Sequence, residues 1–203
     1  RPEVPWGQRT QEHDREQQAR EPEAAQDNGT QHTSHDGGER DQIDLQKQAI
    51  DIGSRVEDVG LFWLEDVTTF DDYQGLARVT AALKTPIAGG ANVWGIAPFR
   101  QMIEARSVDI VMVDLARVGG VTQWMKVAGM AEAFNLPIVS HVMPEILVHM
   151  VAACPNGLTV EYMPWMLALY EETPAIENGQ MVLPDKPGLG LEFDEKAIAA
   201  FKA

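Results

Sequence analysis

Five short runs recur along the chain: "LFWL" from Leu61, "PIAGG" from Pro86, "DIVMV" from Asp109, "PIVSH" from Pro137 and "LTVEY" from Leu158. They are nearly continuously apolar, and the intervals between them carry helical periodicity. A strand solvated on one face would alternate, so runs of this kind read as a parallel sheet covered on both faces. The repeat of roughly 20 to 30 residues is the length of a βα unit. Before the first run, Leu45, Ala49, Ile52, Val56 and Val59 fall at helical spacing and predict an amphipathic helix ending near Gly60.

The first forty residues are different. Arg1 to Arg40 hold almost no large aliphatic side chains and are rich in Gln, Glu, Arg, Asp and Gly. Such a segment cannot bury enough apolar surface to offset its ordering entropy, and it reads as a disordered polar tail with a transient helix around Glu12 to Ala25. His13, His32 and His35 are irregularly spaced in it and read as solvated side chains rather than a metal tract. The division is therefore a tail over 1–40 and a folded α/β domain over 41–203.

Composition excludes some partners. With a formal net charge of −15 and a sequence pI of about 4.6, the average surface repels nucleic acid. The single cysteine, Cys154, rules out an internal disulfide and fits a reducing, cytoplasmic setting. No run is long enough for a membrane span, and nothing marks export.

Polar groups at the carboxyl ends of the runs distinguish a barrel from an open sheet. Glu65 and Asp66 end the first, Asn92 follows the second, Asp114 ends the third, His141 ends the fourth, and Glu161 lies in the fifth. In a (β/α) barrel these ends converge on one mouth, where such enzymes keep their chemistry; an open sheet would concentrate its contacts at one switch point. A partial TIM-type barrel is expected. Acidic residues after a strand also cap the next helix, and Asp66 and Asp71 read that way. Capping explains His141 and Glu161 poorly.

The stretches "GLFWLEDV", "TPIAGGANVWG", "VDIVMVDLARVGG", "PIVSHVMPEI", "NGLTVEYMPW" and "PDKPGLGLEF" together resemble the C-terminal barrel part of the mandelate racemase and muconate lactonizing enzyme family of the enolase superfamily. The resemblance runs from about Leu45 to the end. It implies a divalent metal, normally Mg2+, held by carboxylates at three consecutive strand ends. A small carboxylic acid substrate would bind that metal and lose its α-proton to give an enediolate, as in a racemase, epimerase or acid-sugar dehydratase. Carried over residue by residue, Glu65 matches a metal ligand, His141 the general base, Asp114 its orienting partner, and Glu161 an acid that donates a hydrogen bond to the intermediate. Arg117 matches a position near that pair, whereas Lys126 reads as a solvated helix face. The chemistry agrees with these roles: a carboxylate's α-proton is very weakly acidic, so its removal needs charge stabilisation beside a base that titrates near neutrality.

Departures accompany the matches. Where the family has Gly-Glu-Asn, this chain has Gly90-Ala91-Asn92, so a carboxylate is replaced by a methyl and Asn92 offers only a neutral oxygen. An ungapped alignment puts the first metal ligand on Glu39 of "ERDQ", with Asp41 in place of an amide and Gln42 matching. No lysine occurs in residues 1 to 38, so the opposite base, a Lys-x-Lys motif, has no counterpart, nor does the family's capping domain. Since a full barrel takes about 250 residues, five of its eight strands are expected here. The chain reads as a truncated or divergent member. Its alternative function is that of an inactive remnant or an interaction partner of an intact homologue. Unpaired strand edges predict self-association.

Overall fold

The structure is a computed structural model that describes residues 35–201, with side chains from 44 onward. The expected tail up to residue 34, with its transient helix and with His13 and His32, lies outside the described residues, as do the side chains of His35 and Glu39. The first helix, α1 (His35–Val56), begins upstream of the boundary drawn at residue 41 and ends through a 3-10 turn (Glu57–Val59) at Gly60, whose φ of 72° closes it.

Five parallel strands follow in sequential order: β1 (Leu64–Glu65), β2 (Ile87–Gly89), β3 (Ile110–Asp114), β4 (Ile138–His141) and β5 (Gly157–Thr159). Between them run α2 (Tyr73–Ala82), α3 (Ala97–Glu104), the short α4 (Leu115–Val118), α5 (Val121–Ala133) and α6 (Pro144–Ala153). An antiparallel pair, β6 (Ile176–Glu177) with β7 (Gln180–Met181), and α7 (Glu195–Ala200) complete the chain. This is the α/β, TIM-barrel-type arrangement the apolar runs predict.

The two faces of the sheet bury different sets of side chains. Ile87, Val111, Val113 and Ile138 pack against the helices with Phe99, Trp124 and Leu147. Ala88, Ile110, Met112 and Val139 form a second, inner cluster with Ala91, and Trp63 packs on it. Parallel partners share a face, and the pairs Glu65 with Ala88, Ala88 with Ile110, Met112 with Val139, and Asp114 with His141 carry the inner face from strand to strand. Following it to the carboxyl ends brings Glu65, Asp114 and His141 to one rim. Trp124 supports this register from the other side, its indole N–H donating to the Val113 carbonyl at 3.1 Å.

Helix α1 docks by a face that apolar periodicity misplaces. Leu45 and Ile52 are exposed, while Gln46 is buried. The Gln46 amide donates to Asp72 at 2.6 Å and accepts from Arg78 at 3.0 Å. Gly53 lies against Leu83 so closely that a Cβ there would clash. Polar anchoring and close backbone approach outweigh the aliphatic stripe.

Strands β1 and β5 are the sheet edges among the described residues, and Leu158 of β5 is exposed. Open edges pair with other chains, so sedimentation is expected to show association; a concentration-independent monomer would argue against it.

One buried group stands apart from the rim. Glu145, in the first turn of α6, is fully buried, and both its carboxyl oxygens lack a hydrogen-bond partner among the described residues. Burial raises its pKa above the ordinary 4.5, outweighing the nearby N–H of its own backbone. A carboxyl with a raised folded pKa binds its proton more tightly when folded. Its stabilising contribution is therefore complete below the unfolded value and declines as pH rises through the folded one. Glu145→Met should raise the unfolding temperature at pH 7 and flatten its decline with pH, with about 1–3 kcal/mol recovered. An unchanged pH profile would mean that this carboxylate is hydrated.

Candidate active site

Aspartate at the end of β3 serves two neighbours. Its Oδ1 accepts the Arg117 backbone N–H at 2.8 Å, which makes Asp114 the N-cap of α4. Its Oδ2 lies 2.8 Å from Nδ1 of His141, directly across the register in β4. A carboxylate acceptor at Nδ1 selects the tautomer with the proton there and leaves Nε2 with a lone pair. Asp114 is buried and His141 is one-fifth exposed, its side chain at 21%. The expected base and its orienting partner are thus together.

Glu161 lies two residues beyond the end of β5, not inside the strand as the run "LTVEY" predicts. The β4–β5 register shifts between Ile138 and Val139, which ends regular pairing early. Two bonds fix the residue nevertheless: its N–H donates to Ser140 Oγ at 2.7 Å, and its Oε2 accepts the Val142 N–H at 2.6 Å. A proton carried by Glu161 would therefore reside on Oε1. Val142 and Met143 have φ of 45° and 47°. A left-handed β-branched residue costs on the order of 1–2 kcal/mol. The conformation holds because Pro144 opens α6 and the Met143 carbonyl accepts the N–H groups of Ile146 and Leu147.

Glu65, at the end of β1, receives the Trp63 indole N–H at 3.2 Å, since residues two apart on a strand share a face. Burial raises the Glu65 pKa; the Trp63 bond opposes the shift, Asp66 and Glu161 add to it, and His141 opposes it. Burial also raises Asp66, against the pull of His141 and Arg117. Asp66 is therefore a member of the site. It caps no helix: α2 begins at Tyr73, and its N-cap is Asp72, neighbour to Asp71, through a bond from Gly75 N–H at 2.9 Å. Asp66, with φ of 49°, instead accepts the Asn92 amide N–H at 3.1 Å. Lys126 is exposed on α5, as its helical position predicts.

The turn after β2 decides the metal question. Gly90 has φ of 117°, and a Cβ on it would collide with the Met112 carbonyl and Phe99, so only glycine fits. The residue it presents, Ala91, is 1% exposed and packs its methyl into the inner cluster. Arg117 Nη1 bonds the Ala91 carbonyl at 2.8 Å. Among the described residues, no group of three or more His, Cys, Asp or Glu side chains is placed to hold a metal ion. Magnesium demands near-octahedral oxygen ligands. Among the described residues, Glu65 can offer one carboxylate and Asn92 a neutral amide oxygen, and position 91 has no ligand atom. The donor set of the described residues does not fit a resident magnesium.

A parallel α/β sheet with a carboxylate-oriented histidine and further acids at its carboxyl rim defines the class of protein as a barrel-type α/β domain. The chain belongs to the enolase C-terminal domain-like family, which matches residues 40–197. It is 36% identical over 158 residues to the D-xylonate dehydratase of Haloferax volcanii, covering 73% of this chain and 38% of that protein. It is 32% identical over 149 residues to the L-talarate/galactarate dehydratase of Salmonella typhimurium, covering 73% and 37%. Among solved structures, L-talarate dehydratase from a Polaromonas species, complexed with Mg and L-glucarate, superposes with a TM-score of 0.73 at 33% identity, over 76% of this chain and 43% of that one. A Bradyrhizobium enolase complexed with magnesium and mandelic acid gives 0.74 at 32% identity, over 78% and 44%. The chain thus spans only about two-fifths of the length of the first two of these relatives. Among the described residues no helix is long and apolar enough to cross a membrane.

Proposed function

We propose that this chain supplies the base for removing the proton α to the carboxylate of an acid sugar or related small acid, giving an enediolate. The observation that carries this reading is the 2.8 Å contact between Asp114 and His141 on the inner rim, which leaves Nε2 as acceptor. His141 Nε2 takes the proton, Asp114 stabilises the imidazolium, and Glu161 offers a hydrogen bond from Oε1 to the oxygen on which charge develops. Returning the proton from the same face gives exchange with retention, and a racemase or epimerase would need a donor on the opposite face; handing that proton to a departing β-hydroxyl, which leaves as water, completes a dehydratase. Glu65 is the described carboxylate that would give magnesium an oxygen, and the affinity should be low.

Exchange of the α-proton for deuterium, followed by NMR for galactarate, mandelate and other hydroxy acids, tests the base directly. Exchange is expected, and His141→Asn should reduce it by about 10²–10⁴-fold. The buried methyl of Ala91 favours a second reading, a non-catalytic relative that associates with an intact homologue. No exchange with any acid, in a folded chain, would select that reading.

A further inference from the structure

The rim gathers Glu65, Asp66 and Asp114, three acids that repel the anionic substrate the proposed reaction requires. Relatives are complexed with magnesium, whereas in this chain the buried Ala91 methyl offers no ligand atom at the turn after β2. The fixed positive charge that the described residues bring to this rim is Arg117, whose field reaches Asp66. Arg117 is pinned at three points: its N–H by Asp114 at 2.8 Å, its carbonyl by Gly95 N–H at 3.0 Å, and Nη1 by the Ala91 carbonyl at 2.8 Å. It is half-buried and forms no ion pair among the described residues. A guanidinium keeps further N–H donors in a rigid fork that suits a carboxylate, and the Nη1 bond restrains this one, which lowers the cost of binding.

Resting on the proton-transfer reading above, we infer that Arg117 binds the substrate's carboxylate in this chain, at the strand-end rim that carries His141. Binding should then be independent of magnesium. Calorimetry on the whole chain with galactarate in EDTA is expected to show binding that galactitol, its uncharged counterpart, does not. Affinity should persist at pH 9, where a guanidinium keeps its charge and an imidazole does not. Arg117→Gln should weaken it at least tenfold with the unfolding temperature retained, and Arg117→Lys, which keeps charge but loses the fork, by less. His141→Asn should leave binding intact while removing exchange. Galactarate binding that requires magnesium, disappears at pH 9, or is equal in wild type and Arg117→Gln would overturn the inference. If Arg117→Gln does not fold, equal affinity of wild type and Arg117→Lys would do so. Magnesium-free binding without exchange in the wild type would instead remove the proton-transfer reading and leave Arg117 as an anion site.

Discussion

Ala91→Glu should leave the metal-free chain less stable by about 3 kcal/mol, the order of magnitude for an uncompensated buried charge. The new carboxylate would enter the inner cluster of Ala88, Ile110, Met112 and Val139, whose side chains offer it no hydrogen bond, while Arg117 already spends Nη1 on the residue 91 carbonyl. Magnesium should reverse the loss, since a ligand that binds only the folded state at a hundred times its Kd adds about 2.7 kcal/mol. Thermal unfolding with and without MgCl2 reads both effects, and the wild type should respond weakly. If magnesium shifts the two proteins equally, the turn at Ala91 does not face a cation position.

Asp114→Asn should separate folding from chemistry. Asparagine caps a helix about as well as aspartate, so α4 should be retained and stability should change by only a few tenths of a kcal/mol. The amide would present N–H where His141 Nδ1 needs an acceptor, forcing the proton onto Nε2 and abolishing the base. Exchange should fall on the order of 10⁴-fold, as for wrong-tautomer substitutions in other histidine-carboxylate pairs. Asp114→Ala should lose both properties, including about 0.5–2 kcal/mol of capping. Exchange surviving in the asparagine variant would show that another group is the base.

The sheet and the dyad were legible because strand periodicity fixes them. Apolar runs one βα unit apart place their last residues at one level, so Asp114 and His141 fall on one rim, and the family resemblance implies their pairing. Glu65 followed by the same logic, and Trp63, two residues earlier on the same face, could have been added from it. Asp66 was misread because an acid after a strand resembles a cap, while the helix it would cap starts only at Tyr73. The docking face of α1 was misplaced because Gln46 and Gly53 meet Asp72, Arg78 and Leu83 through tertiary contacts that no local period encodes. Val142 carries no sequence signal at all for its left-handed backbone, since β-branched residues avoid that region. Its N–H nevertheless fixes Glu161.

Gly90 keeps the turn in its ligand-presenting shape whatever side chain stands at position 91, because steric exclusion by Met112 and Phe99 sets the backbone there. The departure from the family at this turn is therefore confined to a side chain. Alanine and glutamate codons that share their outer bases differ only at the middle one. A single nucleotide change is then enough to place a carboxylate on an unaltered loop.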